Sequence, residues 1–141
     1  MDAKERYAAM IKDRISPALR AEGLTGSGGR YAIPSDTHWA LIGFQKSAFG
    51  DRDDVRFTFA LLLVRKDDWA ASVAEDLHPK AVPSAITLYG APVRSTRIGR
   101  LVGDGQDKWW QIQSGVEIEP VVTDVLDDLR SAGLPWLRTR L

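Results

Sequence analysis

The segment VRFTFALLLVR, Val55–Arg65, decides how the rest of the chain is read. Val55, Phe57, Phe59, Leu61 and Leu63 fall on one side of an extended backbone, and Arg56, Thr58 and Ala60 on the other. A period of two in β-branched and aromatic residues predicts a strand. Within it, Phe59–Val64 is the longest purely apolar run, far too short to span a bilayer.

Toward the N-terminus, the polar DRDD at Asp51–Asp54 reads as a hairpin loop. Before it comes HWALIGFQKSAF, with Ala40, Ile42 and Phe44 on one strand face and Trp39 and Leu41 on the other. Apolar residues on both faces predict a strand inside a sheet. Arg30–Ile33 is a further short strand, preceded by a turn at Gly26–Gly29. Tyr7, Ile11, Ile15 and Ala18 recur at helical spacing, predicting an amphipathic helix from about residue 3. Pro17 either opens a second short helix capped by Ser16 or kinks the first, and Gly23 stops it.

Toward the C-terminus, KDDWAASVAEDL switches to helical period, with Asp67 or Asp68 as cap and Trp69, Val73 and Leu77 on one stripe. The proline-rich stretch after it reads as irregular, with a short strand at Ala85–Tyr89. Thr96–Val102 and Lys108–Gln113 read as two strands of a hairpin across GDGQD. A last helix runs from Pro120 to a stop at Gly133, with Val122, Val125, Leu126 and Leu129 as its apolar stripe. The tail returns Leu134, Trp136 and Leu137 to the body. This order predicts a single α+β domain over residues 1–141: an antiparallel sheet of about four to six strands, with N-terminal, middle and C-terminal helices packed mainly on one face.

Composition narrows the function classes. Nineteen basic and nineteen acidic residues cancel, which removes a global pull toward nucleic acid or anionic membranes and leaves only local patches. With no cysteine there is no disulfide, thiolate nucleophile or thiolate zinc site. The charged, amphipathic N-terminus lacks the apolar core of a signal peptide, so a soluble cytoplasmic protein is expected.

ISPALRAEGL (Ile15–Leu24), WALIGFQKS (Trp39–Ser47), VRFTFALLLV (Val55–Val64), RIGRL (Arg97–Leu101), DKWWQI (Asp107–Ile112) and a final helix ending in AGLPWL together resemble the DUF4304 family of small bacterial proteins. The likeness spans nearly the whole chain and is structural in character; Trp69–Pro92 matches no pattern of the family. The resemblance implies a single α+β domain and an accessory or immunity-type binding role. The family is one of unknown function, so no catalytic residue carries over.

The residues assemble no familiar catalytic set. His38 and His78 lie too far apart for a helical metal pair, and no G-x-S-x-G elbow exists. The glycine-rich segments read as turns, and DRDD lacks the length and closing glutamate of a calcium loop. No metal and no cofactor is expected. What remains is TRIGRLVGDGQDKWWQI, Thr96–Ile112. Neighbours on a strand face opposite ways, so Trp109 and Trp110 divide between the two sheet faces, one in the core and one on the second face. Arg97 or Arg100 can stack on an indole or bind an anionic group, with Gln45, Gln111 or Tyr89 as polar partners. Gly99 is expected to leave room for an indole ring.

Two functions follow. The first is a non-enzymatic binding protein using the second sheet face, or a groove beside it, for a protein partner or a second copy of itself. The second is a small-molecule-binding protein or biosynthetic enzyme, with a pocket lined by Trp39, Phe57, Phe59 and Trp110 and an arginine anchor.

Overall fold

A computed structural model describes residues 1–77 and 80–141. His78 therefore lies outside the described residues. A six-stranded, wholly antiparallel sheet is built around the strand read first, β4 (Asp54–Arg65). Before it come β1 (Thr25–Ser27), β2 (Arg30–Ala32) and β3 (His38–Lys46); after it come β5 (Arg94–Arg97) and β6 (Trp110–Gln113). One edge of β4 pairs with β3 from Arg65↔His38 to Phe57↔Lys46. Its other edge is shared, with β6 taking Asp54–Phe57 and β5 taking Ala60–Leu63.

The expected hairpin between Thr96–Val102 and Lys108–Gln113 is therefore corrected. The two strands lie end to end along β4 and do not pair with each other. After Arg97 the chain leaves the sheet in a 3₁₀ turn, Ile98–Arg100. At Gly99 it passes so close to the returning chain that a Cβ would meet the Gln106 carbonyl oxygen and the Lys108 nitrogen, with the Asp107 carbonyl carbon 2.8 Å away. Gly99 thus makes room for backbone rather than for an indole.

The N-terminal helix does not break at Pro17. Helix α1 (Ala3–Met10) passes through a π turn (Ile11–Ile15) into α2 (Ser16–Ala21). The Ser16 amide bonds to the Ile11 carbonyl, five residues back. The wider turn accommodates the missing N–H and the bulky ring of the proline that follows. The C-terminal helix repeats the device ahead of Pro135. Helix α4 (Glu119–Asp128) enters a π turn (Leu129–Gly133) and continues as α5 (Leu134–Arg138). Gly133 is consequently not a stop. It lies against the sheet, where a Cβ would sit 3.5 Å from Phe59, and burial of Leu134 and Leu137 carries the helix onward. Gly23 does end α2: the Leu24 and Gly23 amides donate to the Leu19 and Arg20 carbonyls, a Schellman closure with Leu19 and Leu24 both buried.

These helices cover one face of the sheet. Tyr7, Ile11, Ile15, Val122, Val125 and Leu129 meet Ile42, Phe57, Phe59 and Leu61 there. The middle helix, α3 (Lys66–Ala74), lies on the other face. Arg65 takes its N-cap position without a side-chain cap, and Asp67 and Asp68 fall in the first turn, beside the positive end of the helix. Trp69 packs on Leu62, Val64, Ala85 and Val93 in a second, smaller core. The segment Ala85–Tyr89 forms no strand. It belongs to an irregular strap across this face, and a Cβ on Gly43 would stand 2.9 Å from Ile86. Among the described residues no helix is long and apolar enough to cross a membrane.

Candidate functional site

Register settles the tryptophan pair. Phe57 faces Trp110 across β4 and β6, so Trp110 shares the face of Phe57 and Phe59. Its ring lies over both, with centroids 5.6 and 5.7 Å away, and it is 6% exposed. The indole N–H at the edge of this core donates to Asp124 at 2.8 Å. Lys108 bridges Asp124 and Asp128 at 2.8 and 2.7 Å and also stands over the Trp110 ring. The hydrogen bond from Lys108 holds the Asp124 carboxyl below the usual range against the opposing effect of partial burial. Partial burial opposes the Lys108 charge, and the two carboxylates outweigh it, so its pKa is raised.

Trp109 is on the second face and is 36% exposed. Arg97 covers it, the guanidinium 5.3 Å from the ring centroid. One oxygen of Asp107 accepts from Arg97 at 2.9 Å and from the Trp109 indole at 3.1 Å. The arginine, carboxylate and indole thus hold one another, each partly in solvent. Such exposed pairs contribute at most about 1 kcal/mol, so the cluster orients its groups more than it stabilises the fold.

Beside the cluster is an open recess of ≈ 360 Å³. Its floor is Ala60 and Gln45, one wall is the strap at Ala85–Leu88, and Arg97, Arg100 and Asp107 form the other. The structure therefore brings together Gln45, Arg97 and Arg100, with Trp109 behind Arg97. Among the described residues neither the Gln45 amide nor the exposed Arg100 guanidinium has a side-chain partner. Leu88, on the rim, is 88% exposed.

The other candidates are elsewhere. Tyr89 meets Trp69 edge-on at 5.0 Å, and its hydroxyl accepts from the Ser84 amide. Trp39 lies beyond the strap with Lys66 over its ring at 4.6 Å. Gln111 donates to Asp54. The pocket expected between Trp39, Phe57, Phe59 and Trp110 does not form, because the last three stack together in the main core and Trp39 is on the opposite face.

Two features escape sequence reading. Asp107 is the hinge of the cluster; its position two residues before Trp109 is the only local hint. Thr58 is wholly buried, and its hydroxyl has no hydrogen-bond partner among the described residues. It pairs with Gln45 in register and lies in β4 at the gap between β5 and β6.

Comparison with curated proteins finds no match, and comparison with solved structures finds none either. A family model described as a domain of unknown function, DUF4304, matches residues 15–139 of the 141. The likeness expected from the strand and helix segments is thereby established over the fold just described, and the chain belongs to the DUF4304 family.

Proposed function

We propose that the domain is a non-enzymatic binding module that takes a protein partner at the recess on its second sheet face. The observation that carries this reading is the grouping of contact groups around one shallow opening: Arg100 and the Gln45 amide, without side-chain partners among the described residues, and Leu88 exposed on the rim, with Trp109 behind Arg97. Tryptophan and arginine contribute most per residue at protein interfaces, and an apolar rim excludes water around them. The Arg97–Asp107–Trp109 cluster pre-orders part of that surface, which lowers the entropy cost of docking. Chemistry is poorly served here. Among the described residues the recess has a single carboxylate, already committed to Arg97 and Trp109, and no histidine lines it.

Affinity capture from the producing cells with the wild type, followed by titration with the purified captured protein, tests the reading. Leu88→Asp and Arg100→Glu are expected to abolish that binding without altering the thermal transition. Sedimentation of the pure protein covers the case in which the partner is a second copy. Undiminished binding by both variants, or a monomer that captures nothing, overturns the proposal.

A second reading is favoured by the concave placing of Arg97 and Arg100 opposite Gln45: a small anionic ligand held by the arginines. The volume is at the low end for small-molecule sites, roughly 300–1,000 Å³. A small anion that raises the melting temperature of the wild type and not of Arg100→Glu supports this reading over the first.

A further inference from the structure

A larger groove of ≈ 770 Å³ runs between the α1–α2 helix and the β1–β2 hairpin, away from the recess. Its polar lining is dominated by one sign: Lys4, Lys12, Arg20, Arg30 and Lys46 against the single carboxylate Asp13. All five cations are exposed, and among the described residues none enters an ion pair. Among the described residues Arg20 is steadied only by donating to the Gly26 carbonyl. The floor is apolar, built from Tyr7, Ile11 and Phe44. A chain with no net charge thus concentrates uncompensated positive charge along one groove.

The helix is shaped to keep those charges in line. Lys4, Ala8, Lys12, Ser16 and Arg20 follow one another at intervals of four and all line the groove. On a plain α-helix that spacing drifts by about 40° per step and would carry Arg20 well away from Lys4. The π turn at Ile11–Ile15 winds fewer degrees per residue and takes back much of the drift. The cationic row extends over about 24 Å at the usual rise per residue, which suits an elongated ligand.

We infer that this groove binds an acidic, amphipathic peptide segment of a partner protein, its carboxylates against Lys4, Lys12 and Arg20 and its apolar side chains over Tyr7, Ile11 and Phe44. Charge complementarity selects acidity, and the apolar floor selects the amphipathic pattern. A nucleic acid strand is less well matched. The groove carries its own carboxylate, Asp13, and the chain has no net charge, so a phosphate backbone gains no general attraction here.

The test is fluorescence anisotropy of the full chain with three labelled probes: an amphipathic Glu/Leu peptide, the same peptide with Gln for Glu, and an oligothymidine. The Glu/Leu peptide is expected to bind saturably and to weaken as salt rises. Lys12→Glu and Arg20→Glu are each expected to weaken it by about fivefold, the upper end for one exposed ion pair, because reversal adds repulsion to the lost attraction. Lys12→Gln and Arg20→Gln should show a smaller loss in the same direction, and Arg100→Glu no change. Absence of binding, equal binding of the Gln peptide, undiminished binding by the reversal variants, or tighter binding of the oligothymidine would each overturn the inference.

Discussion

Replacing Thr58 with valine should make the protein more stable. Thr58 is 0% exposed, and its hydroxyl is a buried polar group without a partner among the described residues. Leaving such a group unsatisfied costs roughly 1–3 kcal/mol. Valine keeps the branched shape, suits the strand at least as well, and puts a methyl group where the hydroxyl stands. Burying that methyl contributes up to about 0.8 kcal/mol more. Allowing for partial relaxation around the hydroxyl, the gain is about 1–2 kcal/mol, or roughly 3–8 °C in melting temperature for a domain of this size. Thr58→Ala removes the orphan too but leaves a cavity between Gln45 and the gap separating β5 from β6, so it should fall below valine. Urea denaturation and calorimetry of the three proteins, with unchanged m-values, read the order directly. If Thr58→Val loses 1 kcal/mol or more, the hydroxyl has a partner, such as a buried water, and the reasoning is refuted.

Four further outcomes follow from the same contacts. Gly99→Ala should cost at least about 2 kcal/mol in denaturant unfolding, because the new Cβ meets backbone at Gln106–Lys108 and cannot be relieved by a rotamer change; a neutral result contradicts the close approach. Trp110→Ala should cost about 3–5 kcal/mol and Trp109→Ala about 1 kcal/mol or less, and equal losses would contradict the division of the pair between core and second face. Gly133→Ala should stabilise by about 0.5–1 kcal/mol, since Gly133 is in right-handed helical conformation and the added methyl meets Phe59 at ordinary contact distance; destabilisation would show that this space is not free. For pH, Asp124 has a lowered pKa when folded, so its stabilising effect is present above the ordinary carboxylate range and is lost as pH falls through the depressed value. Lys108 is raised, so its share is present below the ordinary lysine value and is lost as pH rises through the elevated one. Asp124→Asn should flatten the acid limb of the stability–pH curve, and an unchanged acid limb would count against the Lys108–Asp124 pair.

Much of this molecule is legible along the chain. The alternation at Val55–Arg65 marks β4, and the helical spacing of Tyr7, Ile11 and Ile15 marks the buried stripe of the N-terminal helix. The likeness to DUF4304 is carried in part by the β4 segment and by Ile15–Leu24, and the family match begins at residue 15. Less legible is what the flanks of an element do. Gly133 has the signature of a stop, yet the burial of Leu134 and Leu137 outweighs it. Gly99 looks like space for a ring and proves to be space for backbone. The candidate site divides in the same way: Arg97 and Trp109 do meet, while Trp39 and Tyr89, which read equally well, stand elsewhere on the second face.

The sequence by itself determined that Trp109 and Trp110 part company, because adjacent residues on an extended chain point opposite ways whatever surrounds them. Only the tertiary structure decided which one is core, because that depends on the pairing Phe57↔Trp110, and register is a contact between residues far apart in the chain. It also decided that β5 and β6 share one edge of β4 instead of pairing with each other, a choice no local period encodes. The basic groove belongs to the same class. A net charge of zero is a sum over the whole chain, and charge becomes a surface only when folding sets Lys4, Lys12 and Arg20 beside Arg30 and Lys46 with Asp13 as the single carboxylate in the groove.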